Sequence, residues 1–270
     1  MNMKQQALVT CCKDMRDNMS YHKISAGIVT YNNAKVIIPC LSSLIAYTQN
    51  EDIEIWIYDN ASADETLDLI RASFPQVHII ENEDNRGFGY GHNRILEQVD
   101  SDYHMVVNPD LRFTPGLVRR LMAFMDKNPR AGMVSPKILN ADGTEQLLPK
   151  RQPNFAYCVL SKFPGLHGLR TKYTRGDEIF DRPTACANTT GSFFIIRTEL
   201  MKSLDGFDER FFMYFEDADL AKRVSKMHAV VFYPGVSLYH DWKRDNTRSM
   251  RGIKIFLTSM LKYMWKWKTI

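Results

Sequence analysis

The chain reads as an α/β protein: a mostly parallel central sheet with helices on its faces, and an amphipathic helical tail at the C-terminal end. Three observations predict this. Short β-branched runs alternate with segments of helical periodicity from residue 24 onward. The runs stop at polar turns, at Tyr31, Asp59, Asn85 and Asp110, as strands do when their carboxyl ends open on a common crevice. With 270 residues, 44% hydrophobic and 24% charged, the chain is ordinary globular protein and can bury a sizeable core.

Residues 1–23 show no periodicity and read as an N-terminal extension. Ile24–Thr30 is the first strand, and a helix over about Ala34–Tyr47 follows, with Pro39 tolerable only in its first turn. Ile53–Tyr58 is the second strand. Ser62 and Glu65 have the spacing of a capping box and would start a helix over Ala63–Ser73. Val77–Glu81 is a third strand, after which a glycine-rich loop reaches Asn93 and a helix runs to Val99. Asp102–Val107 is a short buried strand that Asn108 and Pro109 terminate.

The second half is more irregular. Leu117–Met125 is an amphipathic helix, and Gly132–Leu139 opens a strand pair turned at Asn140–Gly143. From Leu147 to Thr184 the chain is rich in Pro, Gly and basic residues, a length of irregular chain that marks a lid or acceptor loop or else a disordered segment. Ala187–Arg197 returns as a strand, Leu220, Ala221 and Val224 recur at helical spacing after a group of acids, and Val230–Tyr233 is the last strand.

Composition excludes several classes. The five cysteines form no CxxC pair and are odd in number, which argues against a zinc knuckle or disulfide framework and for a reducing compartment. Met1–Ser20 is polar, not a signal peptide, and no run approaches the roughly 20 apolar residues of a membrane span. Residues 243–270 hold eight Lys/Arg against one acid, a balance of +7, which leaves −3 for residues 1–242 out of the total of +4. A mildly acidic body with a basic tail is not the charge distribution of a nucleic-acid binder.

Two acidic positions carry candidate chemistry. Asp110, at a strand's carboxyl end, either holds a divalent cation against the phosphates of a nucleotide or is simply a solvated turn residue. Glu216, Asp217 and Asp219 crowd a helix N-terminus, where the dipole favours the ionised carboxylate that a general base needs; at least one of them serves only as a cap. A lone His240 after a strand matters if it reaches Asp110. In the tail, Ile253, Phe256, Leu257, Met260, Leu261, Met264 and Trp265 recur at helical spacing with Lys254, Lys262 and Lys266 off the stripe. Such a helix either lies on an anionic membrane surface or packs on the body or on a second subunit.

In order along residues 24–240, the pieces VTYNN (29–33), YDNASADET (58–66), NRGFGYGHN (85–93), VVNPD (106–110), TGSFFIIR (190–197), GFDERFFMYFEDADL (206–220) and YH (239–240) resemble glycosyltransferase family 2, the inverting enzymes of GT-A (Rossmann-like) fold. Within it they are similar to bacterial rhamnosyltransferases of O-antigen and related surface polysaccharides. The resemblance implies a domain over 24–242, with a nucleotide-binding half (24–110) and an acceptor half (111–242), followed by the tail (243–270). It implies that Thr30, Tyr31 and Asp59 hold the base and ribose of a dTDP or UDP sugar, with Arg86, Asn93 and Asn108 near the diphosphate and sugar. Asp110, last residue of the family's Asp-x-Asp motif, and His240 would bind Mg2+ or Mn2+. Asn108 replaces the motif's first acid. Asp217 would be the base, with Gly191, Ser192 and Glu216 on the acceptor side. The implied reaction moves L-rhamnose from dTDP-L-rhamnose, or a hexose or galactofuranose from UDP, to a lipid-linked saccharide at the inner face of the bacterial plasma membrane.

Two rivals are weaker. An NAD-binding turn needs GxGxxG directly between strand and helix, whereas Gly87, Gly89 and Gly91 give GxGxG after an intervening loop. A non-catalytic carbohydrate-binding protein would need neither Asp110 nor Asp217.

Overall fold

The computed structural model describes residues 22–163, 165–241 and 249–269. Residues 1–21 of the expected extension and 242–248 of the expected tail lie outside them. The elements are β1 (Lys23–Thr30), α1 (Ile37–Tyr47), β2 (Asp52–Asp59), α2 (Thr66–Ser73), β3 (His78–Glu81), α3 (Phe88–Leu96), β4 (Tyr103–Val107), β5 (Leu111–Arg112), α4 (Leu117–Lys127) and β6 (Ala131–Asn140). After these come α5 (Phe155–Cys158), a 3-10 turn (Leu160–Lys162), α6 (His167–Thr174), β7 (Thr184–Ala185), β8 (Phe193–Arg197), α7 (Thr198–Ser203), α8 (Glu216–Val224), β9 (Ala229–His240) and α9 (Met250–Trp267).

Among the described residues one nine-stranded sheet runs β3-β2-β1-β4-β8-β6-β9-β5, with β7 against β9. The α/β class is as the sequence predicts, and parallel pairing holds across β3-β2-β1-β4 and again for β6-β9. Between these blocks β8 is antiparallel to both neighbours. Period-2 alternation covers both faces of the sheet. Ile24, Ala26 and Ile28 of β1, with Met105, Val107, Phe193 and Ile195, pack under α1, α2 and α4. Val29, Val106, Phe194 and Ile196 pack on the other side with α3, α7 and α8. Each of the Val, Ile, Met and Phe side chains among them contributes ~1.5–3 kcal/mol on burial, so the two apolar layers dominate the stability.

Several boundaries differ from the expected ones, each for a physical reason. The helix expected from Asn93 starts at Phe88, because Gly87 takes φ +94° as its N-cap. A Cβ there would stand 2.3 Å from the Phe212 carbonyl oxygen. Gly91 lets α3 lie directly on the sheet, where a Cβ would meet Tyr58 and Val29 at 2.7 and 2.8 Å. The capping box does not form: Ser62 is drawn to Asp59, donating from Oγ at 2.5 Å and from its N–H at 2.9 Å, and α2 starts only at Thr66. The turn at Asn140–Gly143 closes, with Gly143 N–H on the Asn140 carbonyl at 2.9 Å, but its return is a single bridge at Leu139 and Glu145. Both edges of β6 are already taken by β8 and β9, so no further strand can pair there. The strand expected over Ala187–Arg197 is regular only from Phe193, and the last strand runs on to His240 through a register shift opposite Pro136/Lys137.

A buried histidine pair sits where β1, β4 and α3 meet. A side chain at Gly27 would stand 3.1 Å from the His104 ring and 3.2 Å from His92 Nδ1, so the glycine makes room for both rings. His104 Nδ1 bonds Ser25 Oγ at 2.8 Å, while its Nε2 and both His92 nitrogens have no hydrogen-bond partner among the described residues. Burial, reinforced by Lys202, lowers His104 to about 4, and burial together with His104 holds His92 well below the usual histidine range. The folded state therefore binds fewer protons than the unfolded chain below pH 6.5, and stability is lost as pH falls. The urea midpoint should decline between pH 6.5 and about 4, with His104 alone contributing on the order of 3 kcal/mol at the lower end. A midpoint independent of pH across that window would show the pair to be protonated in the fold.

Candidate active site

Register collects the candidate residues on one sheet edge. Thr30 pairs with Asp59 and Asp59 with Glu81, so the first three strands end level. Val107 pairs with Phe193, and because β8 runs antiparallel its preceding residues, Gly191 and Ser192, reach the same edge as Asn108. Asn60 joins these loops: its N–H bonds the Thr30 carbonyl at 2.9 Å, its Oδ1 accepts from Arg86 N–H at 3.0 Å and its Nδ2 donates to the Gly87 carbonyl at 3.3 Å. The sequence offered no signal for that role, since the partners come from two segments, at Thr30 and at Arg86–Gly87, on either side of it in the chain.

On the nucleotide side, Tyr31 is exposed at the edge, while Thr30 is buried with a hydroxyl that has no partner among the described residues. Asp59 is buried beneath Ser62. Arg86 is half exposed, ion-paired to Asp84 at 3.7 Å, with its guanidinium 4.9 Å from the Tyr90 ring centre. Asn93 is buried on α3. Its Nδ2 donates to the Phe207 carbonyl at 2.8 Å and to Glu209 at 3.0 Å, and its Oδ1 accepts from Phe207 N–H at 2.8 Å. The amide fastens α3 to the Gly206–Phe212 segment.

Asp110 and His240 meet. The pairing of Leu111 with His240 sets them side by side, and Asp110 Oδ1 lies 3.2 Å from His240 Nε2. Gln146 bonds His240 Nδ1 at 3.4 Å, and Asp241 N–H bonds the Asp110 carbonyl at 3.0 Å. A carboxylate oxygen and an imidazole nitrogen facing one another suit a borderline-to-hard divalent cation. Among the described residues no three His, Cys, Asp or Glu side chains converge, so such a cation would draw its other ligands from phosphate and water. Asn108 is partly buried, and its N–H donates to the Ser192 carbonyl at 2.8 Å.

The three acids at the start of α8 have separate fates. Asp217 Oδ2 accepts from Gly191 N–H at 2.8 Å and Oδ1 from Ala218 N–H at 2.7 Å, so backbone amides hold both carboxyl oxygens. A Cβ on Gly191 would stand 3.0 Å from the Asp217 Cβ, so glycine permits this approach. Asp219 is wholly buried and bonded to Arg223 at 2.8 Å, Lys266 at 2.6 Å and Trp267 Nε1 at 2.8 Å, a structural role. Glu216 is buried, its Oε2 has no partner among the described residues, and burial plus the neighbouring Asp217 charge push its carboxyl well above the usual range. Two phenols that sequence reading did not single out feel the same charges. Tyr173 is raised by burial, then by Cys158 and Asp217; Tyr263 is raised by burial, then by Asp219 and Asp217. Both stay protonated, and only the folded chain brings α6 and α9 near Asp217.

A mixed sheet of this order and pairing, with Thr30, Asp59, Asn108 and Gly191 brought to one edge, is that of a GT-A glycosyltransferase. The model of the family described as Glycosyl transferase family 2 matches residues 25–204, and the chain belongs to that family. It is 28% identical over 229 residues, 78% of this chain and 74% of the relative, to the N-acetylglucosaminyl-diphospho-decaprenol L-rhamnosyltransferase of Mycobacterium tuberculosis (strain H37Rv). In fold it is similar to the mannosyltransferase PcManGT from Pyrobaculum calidifontis in complex with GDP-Man and Mn2+, with TM-score 0.64, 16% identity, and coverage of 92% of this chain and 65% of that one. It is also similar to S. aureus TarS in complex with UDP-GlcNAc, with TM-score 0.59, 19% identity, and coverage of 82% of this chain and 59% of that one.

Glu216→Gln tests the neutral state of the buried acid. A carboxyl whose folded pKa is raised stabilises below its unfolded value and loses that contribution as pH rises, whereas glutamine has nothing to lose. The Tm of the variant should therefore exceed that of the parent by a margin that widens from about pH 5 to about pH 8. A margin that shrinks or reverses would mean Glu216 is ionised in the fold.

Proposed function

We propose that the protein transfers a deoxyhexose, L-rhamnose from dTDP-L-rhamnose, with inversion onto a lipid-linked saccharide during synthesis of a surface polysaccharide such as O-antigen. One observation carries the reading: two hydrogen bonds, Asn108 N–H to the Ser192 carbonyl and Gly191 N–H to Asp217, join the loop bearing Asp110 to the base-bearing helix. The sugar choice and the lipid-linked acceptor are supported by the activity for which the mycobacterial relative is named.

In this reading Tyr31 covers the base and Asp59 accepts a pyrimidine imide N–H. Each carboxylate oxygen has two acceptor positions, so Asp59 can do this and keep Ser62. Arg86 lies toward the diphosphate. Asp110 and His240 would hold Mg2+ or Mn2+, which when bound offsets the negative charge gathering on the leaving diphosphate. The acceptor hydroxyl oxygen forms a bond to the anomeric carbon as the bond from that carbon to the phosphate oxygen breaks. The electron pair leaves with the nucleoside diphosphate, and the proton passes to Asp217. Gly191 and Ser192 wall the acceptor side beside Glu216. No helix among the described residues is long and apolar enough to cross a membrane. The lipid-linked acceptor is reached by peripheral attachment, residues 250–270 contacting the anionic inner face of the bacterial plasma membrane from the cytoplasm.

Asp217→Asn keeps the shape but removes the basicity, so turnover should fall by about a hundredfold or more while binding of dTDP-L-rhamnose, followed calorimetrically, is kept. Turnover equal to the parent would remove Asp217 as the base. Asp110→Ala should weaken donor binding in Mg2+ by about tenfold, or ~1.4 kcal/mol, and abolish the difference between Mg2+ and chelator. Unchanged affinity would leave Asp110 as a turn residue, and a panel of dTDP and UDP sugars in the same assay decides the donor.

A further inference from the structure

Helix α9 is apolar on two sides, and only one is occupied. Its inner side sets Met260, Tyr263 and Met264 on Cys158, Phe211, Phe215 and Ala218. Its outer side exposes Ile253, Leu257, Leu261 and Trp265, spaced four residues apart, at 41, 43, 60 and 76%. A continuous exposed stripe of this kind marks a contact surface, unlike apolar residues scattered singly. The segment that packs beside the helix also exposes apolar side chains. Cys158 and Val159 belong to the same cluster as the inner side, and Phe155 shares a shallow hollow with Thr269 just past the end of α9. Around that hollow's segment Phe155, Leu160, Phe163 and Leu166 are also exposed.

Charge decides the occupant. Arg251, Lys254 and Lys268 are exposed along the outer side, and residues 250–270 contain no Asp or Glu. A second copy of the chain seated on this face by a two-fold axis would bring like-charged helices together with no acid between them. An anionic lipid surface complements both the cations and the apolar stripe, and an exposed Trp at such a boundary is in its favoured environment.

We propose that the outer side of α9 and the rim of Phe155, Leu160, Phe163 and Leu166 together form one bilayer-seating surface, and that this seating sets the height of Asp217 above the lipid headgroups. The coupling follows from the inner side: Trp267 and Lys266 bind Asp219 of α8, and Ser259 Oγ bonds the Met213 carbonyl at 2.8 Å just before it. The helix that meets lipid therefore also holds the helix that carries the base. The turnover part of this inference rests on the lipid-linked acceptor proposed above; the binding part does not.

The test uses the full chain, the double variant Leu257→Glu/Leu261→Glu and, separately, Phe163→Ser. Co-sedimentation is measured with vesicles of equimolar phosphatidylglycerol and phosphatidylcholine and with phosphatidylcholine alone. The parent should bind the anionic vesicles, and each variant should bind them about tenfold or more weakly. With the acceptor carried in the same vesicles the KM of the variants rises, while kcat on a water-soluble acceptor of the same saccharide equals that of the parent. Equal vesicle binding by parent and double variant overturns the proposal, and full binding by Phe163→Ser overturns the rim's share in it. A concentration-dependent doubling of mass that the double variant abolishes assigns the face to a second copy and overturns it as well. Vesicle binding without transfer to either acceptor would sink the proposed reaction and leave the surface standing.

Discussion

The arrangement depends on a carboxylate held by a backbone amide: the N–H of Gly191 on Asp217 Oδ2 at 2.8 Å. A charge-assisted hydrogen bond of this kind is worth ~1.5–3 kcal/mol. It closes only because residue 191 lacks a side chain and because β8 enters antiparallel, delivering Gly191 and Ser192 to the edge where β1, β2 and β4 end. The chain before α8 bends sharply to reach it. Tyr214 and Phe215 both take positive φ, at 71° and 69°, a conformation that costs on the order of 1–3 kcal/mol for each non-glycine residue. Burying Phe211 and Phe215 against α9 returns ~2–3 kcal/mol apiece, enough to offset the bend. Strain beside Asp217 is thus held by apolar contact with the C-terminal helix.

The polar side of that contact points the same way. Asp219 has no exposure to solvent, and a lone buried carboxylate would be strongly unfavourable. Arg223 from its own helix and Lys266 with Trp267 from α9 surround it. A buried ionic cluster adds little net stability over an apolar substitute, but removing one partner leaves a charge uncompensated. The cluster therefore fixes where α9 sits more than how tightly the protein folds. Asn93 performs the corresponding task at the other end of the Gly206–Phe215 segment.

Strand ends were the most legible feature of the sequence. Val107 followed by Asn-Pro-Asp, and Tyr58-Asp59 followed by Asn-Ala-Ser, place their acids at the sheet edge because a β-branched run and its terminator are adjacent in the chain. The separation of Asp217 from Asp219 was half legible: the crowding of acids was visible, but which one faces Gly191 depends on packing from α9. Asn93 ends a motif whose glycines read as a loop. The structure winds those glycines into α3, which turns the amide toward Phe207. The antiparallel entry of β8 and the full occupation of β6 could not be read at all, since strand order is set by crossovers between segments far apart in the chain.

The tail shows most clearly why periodicity underdetermines contact. The apolar positions Ile253, Phe256, Leu257, Met260, Leu261, Met264 and Trp265 fit a single stripe on a helical projection, and a single stripe implies one partner, either lipid or protein. Folding divides them. Phe256, Met260 and Met264 go inward with Tyr263 and Trp267, while Ile253, Leu257, Leu261 and Trp265 stay outside. An apolar arc wide enough to meet two surfaces does not force a choice between packing on the body and meeting a membrane; a helix so placed can do the first in order to position the second. Aromatic side chains make this possible, because Tyr263 and Trp267 bring hydrogen-bonding tips that Gln152 and Asp219 satisfy on the inner side. The outer side, carrying only Trp265 among its large aromatics and bordered by cations without acids, is left without a protein partner among the described residues.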